Sequence, residues 1–211
     1  MKTLIAIPCM DMVHTMFMRS LLGMEKTGFC QFGLSMSSLV YDARNTLAKQ
    51  AVTEGYDRIL WLDSDMEFDR DLFKRLSARM DEGHEFVSGL YFKRKTPIKP
   101  VIYKELGYYH NEEEDSVTPF ALCYEDYPKD SVFPIAGCGF GAVMVSANLV
   151  KRVAEKFGQP FSPIMGFGED LSFCTRVTQL GGQMVCDSSI KLGHIGLGVI
   201  TEDFYKRSDT Q

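Results

Sequence analysis

The order of apolar and periodic segments constrains the fold of this chain more than any single residue does. Thr3-Leu4-Ile5-Ala6-Ile7 is apolar without alternation, as a parallel strand covered on both faces would be, and Pro8 ends it. Residues 12–24 are expected as a first helix and 28–36 as a second extended segment. Over residues 38–54, Leu39, Val40, Ala43, Leu47 and Ala51 recur at helical spacing, with Ser37 or Ser38 as the cap and Gly55 as the stop. Residues 56–62 then read as a strand. Residues 69–82 read as an amphipathic helix carrying Leu72, Phe73, Leu76 and Met80 on one face, and 85–92 as another strand. This alternation predicts a mainly parallel sheet between helical layers.

The second half is less regular. Residues 103–130 are rich in Glu, Asp, Tyr and Pro and include the acidic run Glu112-Glu113-Glu114-Asp115, which suits a hairpin with a solvated tip. A strand at 142–145 follows the glycine cluster Gly137-Cys138-Gly139-Phe140-Gly141, and Ser146 is placed to cap a helix over 148–157. A last helix is expected over 169–180, stopped by Gly181-Gly182, with a strand over 183–186. No internal repeat or linker divides the 211 residues, so one α/β domain is expected, with a small antiparallel addition to its sheet.

With 45% hydrophobic and 12% aromatic residues, the chain can bury a sizeable core. Its net charge of -5 offers no global attraction for phosphate backbones, which makes nucleic acid an unlikely partner. The six cysteines are far apart and form no CxxC pair, as expected of reduced thiols, and a cytoplasmic location follows. Pro8 and Asp11 interrupt the apolar amino terminus, so it reads as a buried strand and not a leader. No apolar run approaches the roughly 18 residues of a transmembrane segment.

Chemistry is signalled first by Asp63-Ser64-Asp65, where the strand Ile59-Leu60-Trp61-Leu62 runs out into a turn. Burying two carboxylates costs several kcal/mol unless a cation or cationic partner is present, and ligands collect at the carboxyl ends of strands in open α/β sheets. Gly168-Glu169-Asp170 opens a helix, where carboxylates are favoured, and the Gly- and Pro-containing loop before it can bring Asp170 to the strand ends as a general base. His194 stands in a Gly-flanked segment. Two carboxylates and one imidazole, Asp63, Asp65 and His194, suit Mn²⁺ well and Mg²⁺ acceptably. Arg44, on a helix of small and apolar residues, is the candidate for bidentate reading of a phosphate or carboxylate. The basic run Lys93-Arg94-Lys95 with Lys99 reads as a solvated stretch, or as one that meets a diphosphate. Gly139-Phe140-Gly141 lacks the following helix of a dinucleotide fingerprint, and no Walker A, GxSxG or HExxH sequence occurs.

In order, Ile7-Pro8, Tyr41-Asp42-Ala43-Arg44-Asn45, Leu62-Asp63-Ser64-Asp65, Gly168-Glu169-Asp170 and Gly193-His194 resemble the motifs of GT-A fold glycosyltransferases, in particular small family 2-like members. The resemblance covers most of the chain. It implies a nucleotide-binding half over 1–102, an acceptor and catalytic half over 103–198 and a tail over 199–211. A nucleoside-diphosphate sugar, UDP-linked or GDP-linked, would lie near Pro8, Cys9, Asp11, Arg44, Asp63, Ser64 and Gly139. Asp65 and His194, with Asp63, would hold the cation; in the inverting members, the favoured reading over retaining relatives on the same scaffold, Asp170 would deprotonate an acceptor hydroxyl and Glu169 would orient sugar or acceptor. Acceptor recognition is expected from 103–130, the tail or a partner. Two alternatives are a sugar nucleotidyltransferase, whose basic glycine loop is replaced here by Cys9-Met10-Asp11-Met12, and an inactive carbohydrate-binding or nucleotide-sugar-binding protein.

Overall fold

The computed structural model describes residues 1–112, 115–164, 166–196 and 198–208, with side chains through Tyr205. Glu113 and Glu114 of the expected acidic tip lie outside the described residues. The first half runs β1 (Lys2–Cys9), α1 (Thr15–Gly23), β2 (Phe29–Met36), α2 (Val40–Thr53), β3 (Arg58–Leu62), β4 (Met66–Glu67), α3 (Leu72–Asp81) and β5 (Phe86–Leu90). The second runs β6 (Ile102–Asn111), β7 (Ser116–Cys123), β8 (Val132–Ile135), β9 (Gly137–Cys138), β10 (Ala142–Ser146), α4 (Ala147–Phe157), α5 (Glu169–Gln179), β11 (Met184–Lys191), β12 (Gly193–Ile195), β13 (Val199–Ile200) and α6 (Glu202–Ser208).

The central sheet has seven strands in the order β2-β1-β3-β10-β5-β11-β8. β1 pairs in parallel with β2 and β3, and β11 with β5, whereas β10 lies antiparallel between β3 and β5. β8 closes one edge antiparallel to β11. Alternate residues of β1 enter opposite cores, which is why the strand is apolar throughout. Leu4 and Ala6 pack with Trp61, Val143 and Val145 beneath α2, α4 and α5, contributed by Leu47, Ala51, Leu149, Val153, Phe173 and Val177. Ile5 and Ile7 pack with Leu60, Leu62 and Met144 against Phe17, Leu21, Phe73 and Leu76 of α1 and α3.

Two helix ends follow the expected local chemistry. Ser146 Oγ accepts from the Leu149 N–H at 3.0 Å, the expected cap of α4. Gly55 follows α2 at φ +67°, a left-handed turn that favours glycine. The start of α2 departs from expectation, because the cap position is Leu39 and has no side-chain cap. Ser37 Oγ instead accepts from Leu39 N–H at 3.1 Å, bracing the approach to the helix.

Two small three-stranded sheets flank the main one, β13-β12-β4 and β7-β6-β9. The first pairs His194 with Met66 and so ties the late histidine strand to the Asp63-Ser64-Asp65 turn. The second contains the expected hairpin. The segment after residue 198, expected as a tail, carries β13 and α6. There Tyr205 stacks on Phe92 with ring centroids 4.9 Å apart, and Glu202 accepts from the Tyr127 hydroxyl at 3.0 Å. No helix among the described residues is long and apolar enough to cross a membrane.

Candidate active site

The turn after β3 is braced from three sides. Asp63 N–H donates to Gly141 O at 3.1 Å, Ile195 N–H to Asp65 O at 2.8 Å, and His14 N–H to Ser64 O at 3.3 Å. β12 and the residues that lead into β10 and α1 therefore all hold the backbone of Asp63-Ser64-Asp65. The turn closes on itself through Met66 N–H and Asp63 O at 3.3 Å.

Arg44 connects this turn to the start of α5. Its side chain is 2% exposed and lies 5.2 Å from the Phe140 ring and 5.7 Å from the Trp61 ring. One guanidinium nitrogen donates to Asp63 Oδ1 at 2.7 Å, and Nε donates to Glu169 Oε1 at 3.2 Å. Burial works against the charged guanidinium, but Asp63, Glu169 and Asp170 outweigh it and leave the pKa raised. Arg44, expected to read a phosphate or carboxylate, is buried with its Nε and one terminal nitrogen engaged by two carboxylates of the chain itself. Asn45, one residue on, accepts from Phe161 N–H at 2.9 Å and fixes the loop that leads to α5.

Glu169 and Asp170 occupy the first turn of α5, where both are half-buried. Asp170 Oδ1 accepts from the Leu171 N–H at 2.7 Å. Burial, then the Glu169 carboxylate, raises its pKa to about 6, despite the opposing Leu171 N–H and Arg44. A partly open carboxyl titrating near neutrality is suited to accept a proton. Asp63 is also raised, first by burial, with Arg44 opposing.

Asp65 points to a different set of partners. Its Oδ2 lies 2.9 Å from an Arg94 guanidinium nitrogen and 3.6 Å from His194 Nε2. Burial disfavours its charge, yet His194 and Arg94 hold its pKa below the ordinary value. His194 Nδ1 is 2.8 Å from the Phe92 carbonyl oxygen, which can only accept, so Nδ1 carries the proton. Nε2 is thereby turned to Asp65, and the Tyr91 ring meets the imidazole edge-on at 5.3 Å.

That arrangement suits a divalent cation at Asp65 and His194. The imidazole is oriented through its other nitrogen, as metal-ligating histidines usually are, and faces a charged carboxylate. Asp63, expected as a third ligand, has its Oδ1 turned to Arg44 at 2.7 Å. Among the described residues no group of three or more His, Cys, Asp or Glu side chains is arranged to hold a metal. A hard cation held by few protein groups completes its shell with phosphate oxygens and water.

The remaining expected residues divide. Pro8 is buried and Cys9 half-buried at the end of β1, where Cys9 Sγ donates to Ser35 O at 3.9 Å. Asp11 lines an open groove of about 300 Å³ with Met10, Met36, Ser37 and Ser38, at the carboxyl ends of β1 and β2. Gly139 is buried. A Cβ there would fall on the Tyr91 hydroxyl and lie 2.8 Å from Val101, so the glycine makes room for Tyr91. A larger cavity of about 890 Å³ abuts β4 and β12 at Glu67 and Gly193 and includes none of Arg44, Asp65 or Asp170. Tyr91 and Phe92 stand in the sequence as aromatics that could line a sugar platform, or pack in the core; the edge-on contact of Tyr91 with His194 and the role of the Phe92 carbonyl carry no sequence signal. Arg94 is legible as one cation within a basic run, but its pairing with Asp65 is not.

No family model and no curated protein matches the chain. Among solved structures it is similar to A197 from STIV, with a TM-score of 0.65 and 19% identity over 93% of this chain and 86% of that one. It is also similar to GalNAc-T7, solved with UDP, GalNAc and Mn²⁺, with a TM-score of 0.60 and 12% identity. That alignment takes in 99% of this chain but spans about half, 47%, of GalNAc-T7. The fold is α/β of the GT-A type, a mostly parallel central sheet flanked by helices with small antiparallel sheets attached.

Proposed function

We propose that this chain is a glycosyltransferase, resembling family 2, that moves a sugar from a nucleoside-diphosphate sugar to an acceptor hydroxyl. The carrying observation is the Arg44 clasp, which joins the turn after β3 to the start of α5 and sets Asp170 beside them with a pKa of about 6. The GT-A fold supports the donor class, and the UDP bound to GalNAc-T7 favours a uridine nucleotide over guanosine.

The open groove at Asp11 would receive the nucleoside, with Pro8 and Cys9 shaping its wall and Ser64 near the sugar. Asp63, held by Arg44, would accept hydrogen bonds from ribose or sugar hydroxyls. Asp170 takes the proton of the acceptor hydroxyl as that oxygen attacks the anomeric carbon from the face opposite the leaving group. The bond from the anomeric carbon to the diphosphate oxygen breaks, its electron pair leaves with the nucleoside diphosphate, and the configuration inverts. Glu169, also held by Arg44, orients sugar or acceptor. Asp65 and His194 would hold Mn²⁺ or Mg²⁺, which supplies Lewis-acid stabilisation of the charge on the departing diphosphate.

The test is a thermal-shift screen of nucleotide sugars with and without Mn²⁺, followed by measurement of nucleoside diphosphate release. The expected result is selective, Mn²⁺-dependent stabilisation by one donor and slow release of its diphosphate, lost in Asp170→Asn although binding remains. Binding without any release would point to an inactive nucleotide-sugar-binding protein. Absence of Mn²⁺-dependent binding by every donor would overturn the proposal.

A further inference from the structure

Arg94 and His194 converge on one atom. Both approach Asp65 Oδ2, Arg94 at 2.9 Å and His194 Nε2 at 3.6 Å, so a cation shared by Asp65 and His194 would claim the oxygen that Arg94 holds. The position of Arg94 is built and not incidental. Its guanidinium also donates to Ile195 O at 3.0 Å, and its aliphatic stem lies across Gly196, where a Cβ would come within 3.2 Å of the Arg94 Cδ. Phe92, two residues earlier, supplies the carbonyl that orients His194. The segment that aims the imidazole therefore also delivers the competing guanidinium.

We infer that Arg94 is an exchangeable counter-ion of the site. It holds Asp65 until a divalent cation arrives with the donor, and then transfers its charge to the donor's diphosphate. The inference rests on the reading of Asp65 and His194 given above. A guanidinium displaced from a carboxylate beside a diphosphate meets a second anion of matching bidentate geometry, and its 46% exposure leaves it free to move. Metal alone must displace Arg94 without offering it a new partner, whereas metal with donor does both. Cation and donor should accordingly bind cooperatively, and the cooperativity should depend on Arg94.

The test compares Mn²⁺ binding, read by electron paramagnetic resonance of the free ion, in wild type, Arg94→Gln and Arg94→Lys, each with and without UDP. In Arg94→Gln, Mn²⁺ alone should bind about threefold to tenfold more tightly, while UDP at saturating Mn²⁺ binds more weakly by a similar factor. Arg94→Lys keeps the charge and should stay close to wild type in metal affinity, which separates loss of charge from a folding defect. Should wild type bind Mn²⁺ with UDP while Arg94→Gln leaves the affinity for Mn²⁺ alone unchanged or lowered, this inference fails and the glycosyltransferase reading stands. Failure of wild type to bind Mn²⁺ with any nucleotide overturns both.

Discussion

Arg44 and Asp63 are 19 residues apart and meet at 2.7 Å, and the same guanidinium reaches Glu169 across 125 residues of chain. One side chain of α2 thus sets the distance between the end of β3 and the start of α5. Arg44→Met should leave two carboxylates facing each other in partly buried surroundings, with a loss of stability of about 3 to 5 kcal/mol. Arg44→Lys should recover only part of that, because an ammonium lacks the planar fork that reaches both partners. Denaturant midpoints at pH 7.5 measure both.

Asp170 makes a paired prediction about activity and stability. In its proposed role as the base, it should make transfer fall as pH drops through about 6. Its folded pKa is raised above the unfolded value, so its stabilising protonation is complete below the ordinary carboxylate pKa and is lost as pH rises through about 6. Asp170→Asn should therefore abolish transfer yet stabilise the fold at pH 7.5 by an amount on the order of 1 to 3 kcal/mol, with no gain at pH 3.5. Thermal melts at the two pH values, together with diphosphate release, test it.

His194→Ala removes one of the two protein groups proposed to hold a cation. Affinity for Mn²⁺ in the presence of nucleotide should fall about tenfold or more, and excess chelator should reduce wild type to the same level. Calorimetric titration of Mn²⁺ into protein and nucleotide reads both effects.

Gly139 tests a packing assignment against a ligand-binding one. Because a Cβ at 139 would collide with the Tyr91 hydroxyl, Gly139→Ala should cost about 1 to 3 kcal/mol of stability. Tyr91→Phe, which deletes the colliding oxygen, should offset part of this in the double variant. A Gly139→Ala protein of unchanged stability and weakened donor binding would return Gly139 to the sugar pocket.

Much of the fold was legible because periodicity reports burial. The unbroken apolar run at Leu4 to Ile7 and the helical spacing from Leu39 to Ala51 both reflect faces that are buried. The Asp63-Ser64-Asp65 turn and Glu169-Asp170 were visible for a related reason, as carboxylates at element ends need an electrostatic explanation. The partners were less visible. Nothing local to Arg44 says that it will be buried between two acids, and nothing local to Gly139 says that Tyr91 will cross it, because both facts arise from contacts made far along the chain. The short α6 escaped notice since seven residues give too little repeat to register, and it is held by Tyr205 on Phe92.

β10 runs against both of its neighbours, so the end at which it begins, not the end at which it finishes, adjoins Asp63. Where it finishes, Ser146 N–H meets Glu85 O at 2.8 Å and Ala147 N–H meets Asp57 O at 2.9 Å, on the far rim of the sheet. Lengthening the connection that enters this strand would rebuild the working rim, whereas an epitope or reporter grafted beside Asp57 or Glu85 would sit a full strand length from it. This reversed strand inside the sheet thereby marks which side of the molecule is open to engineering.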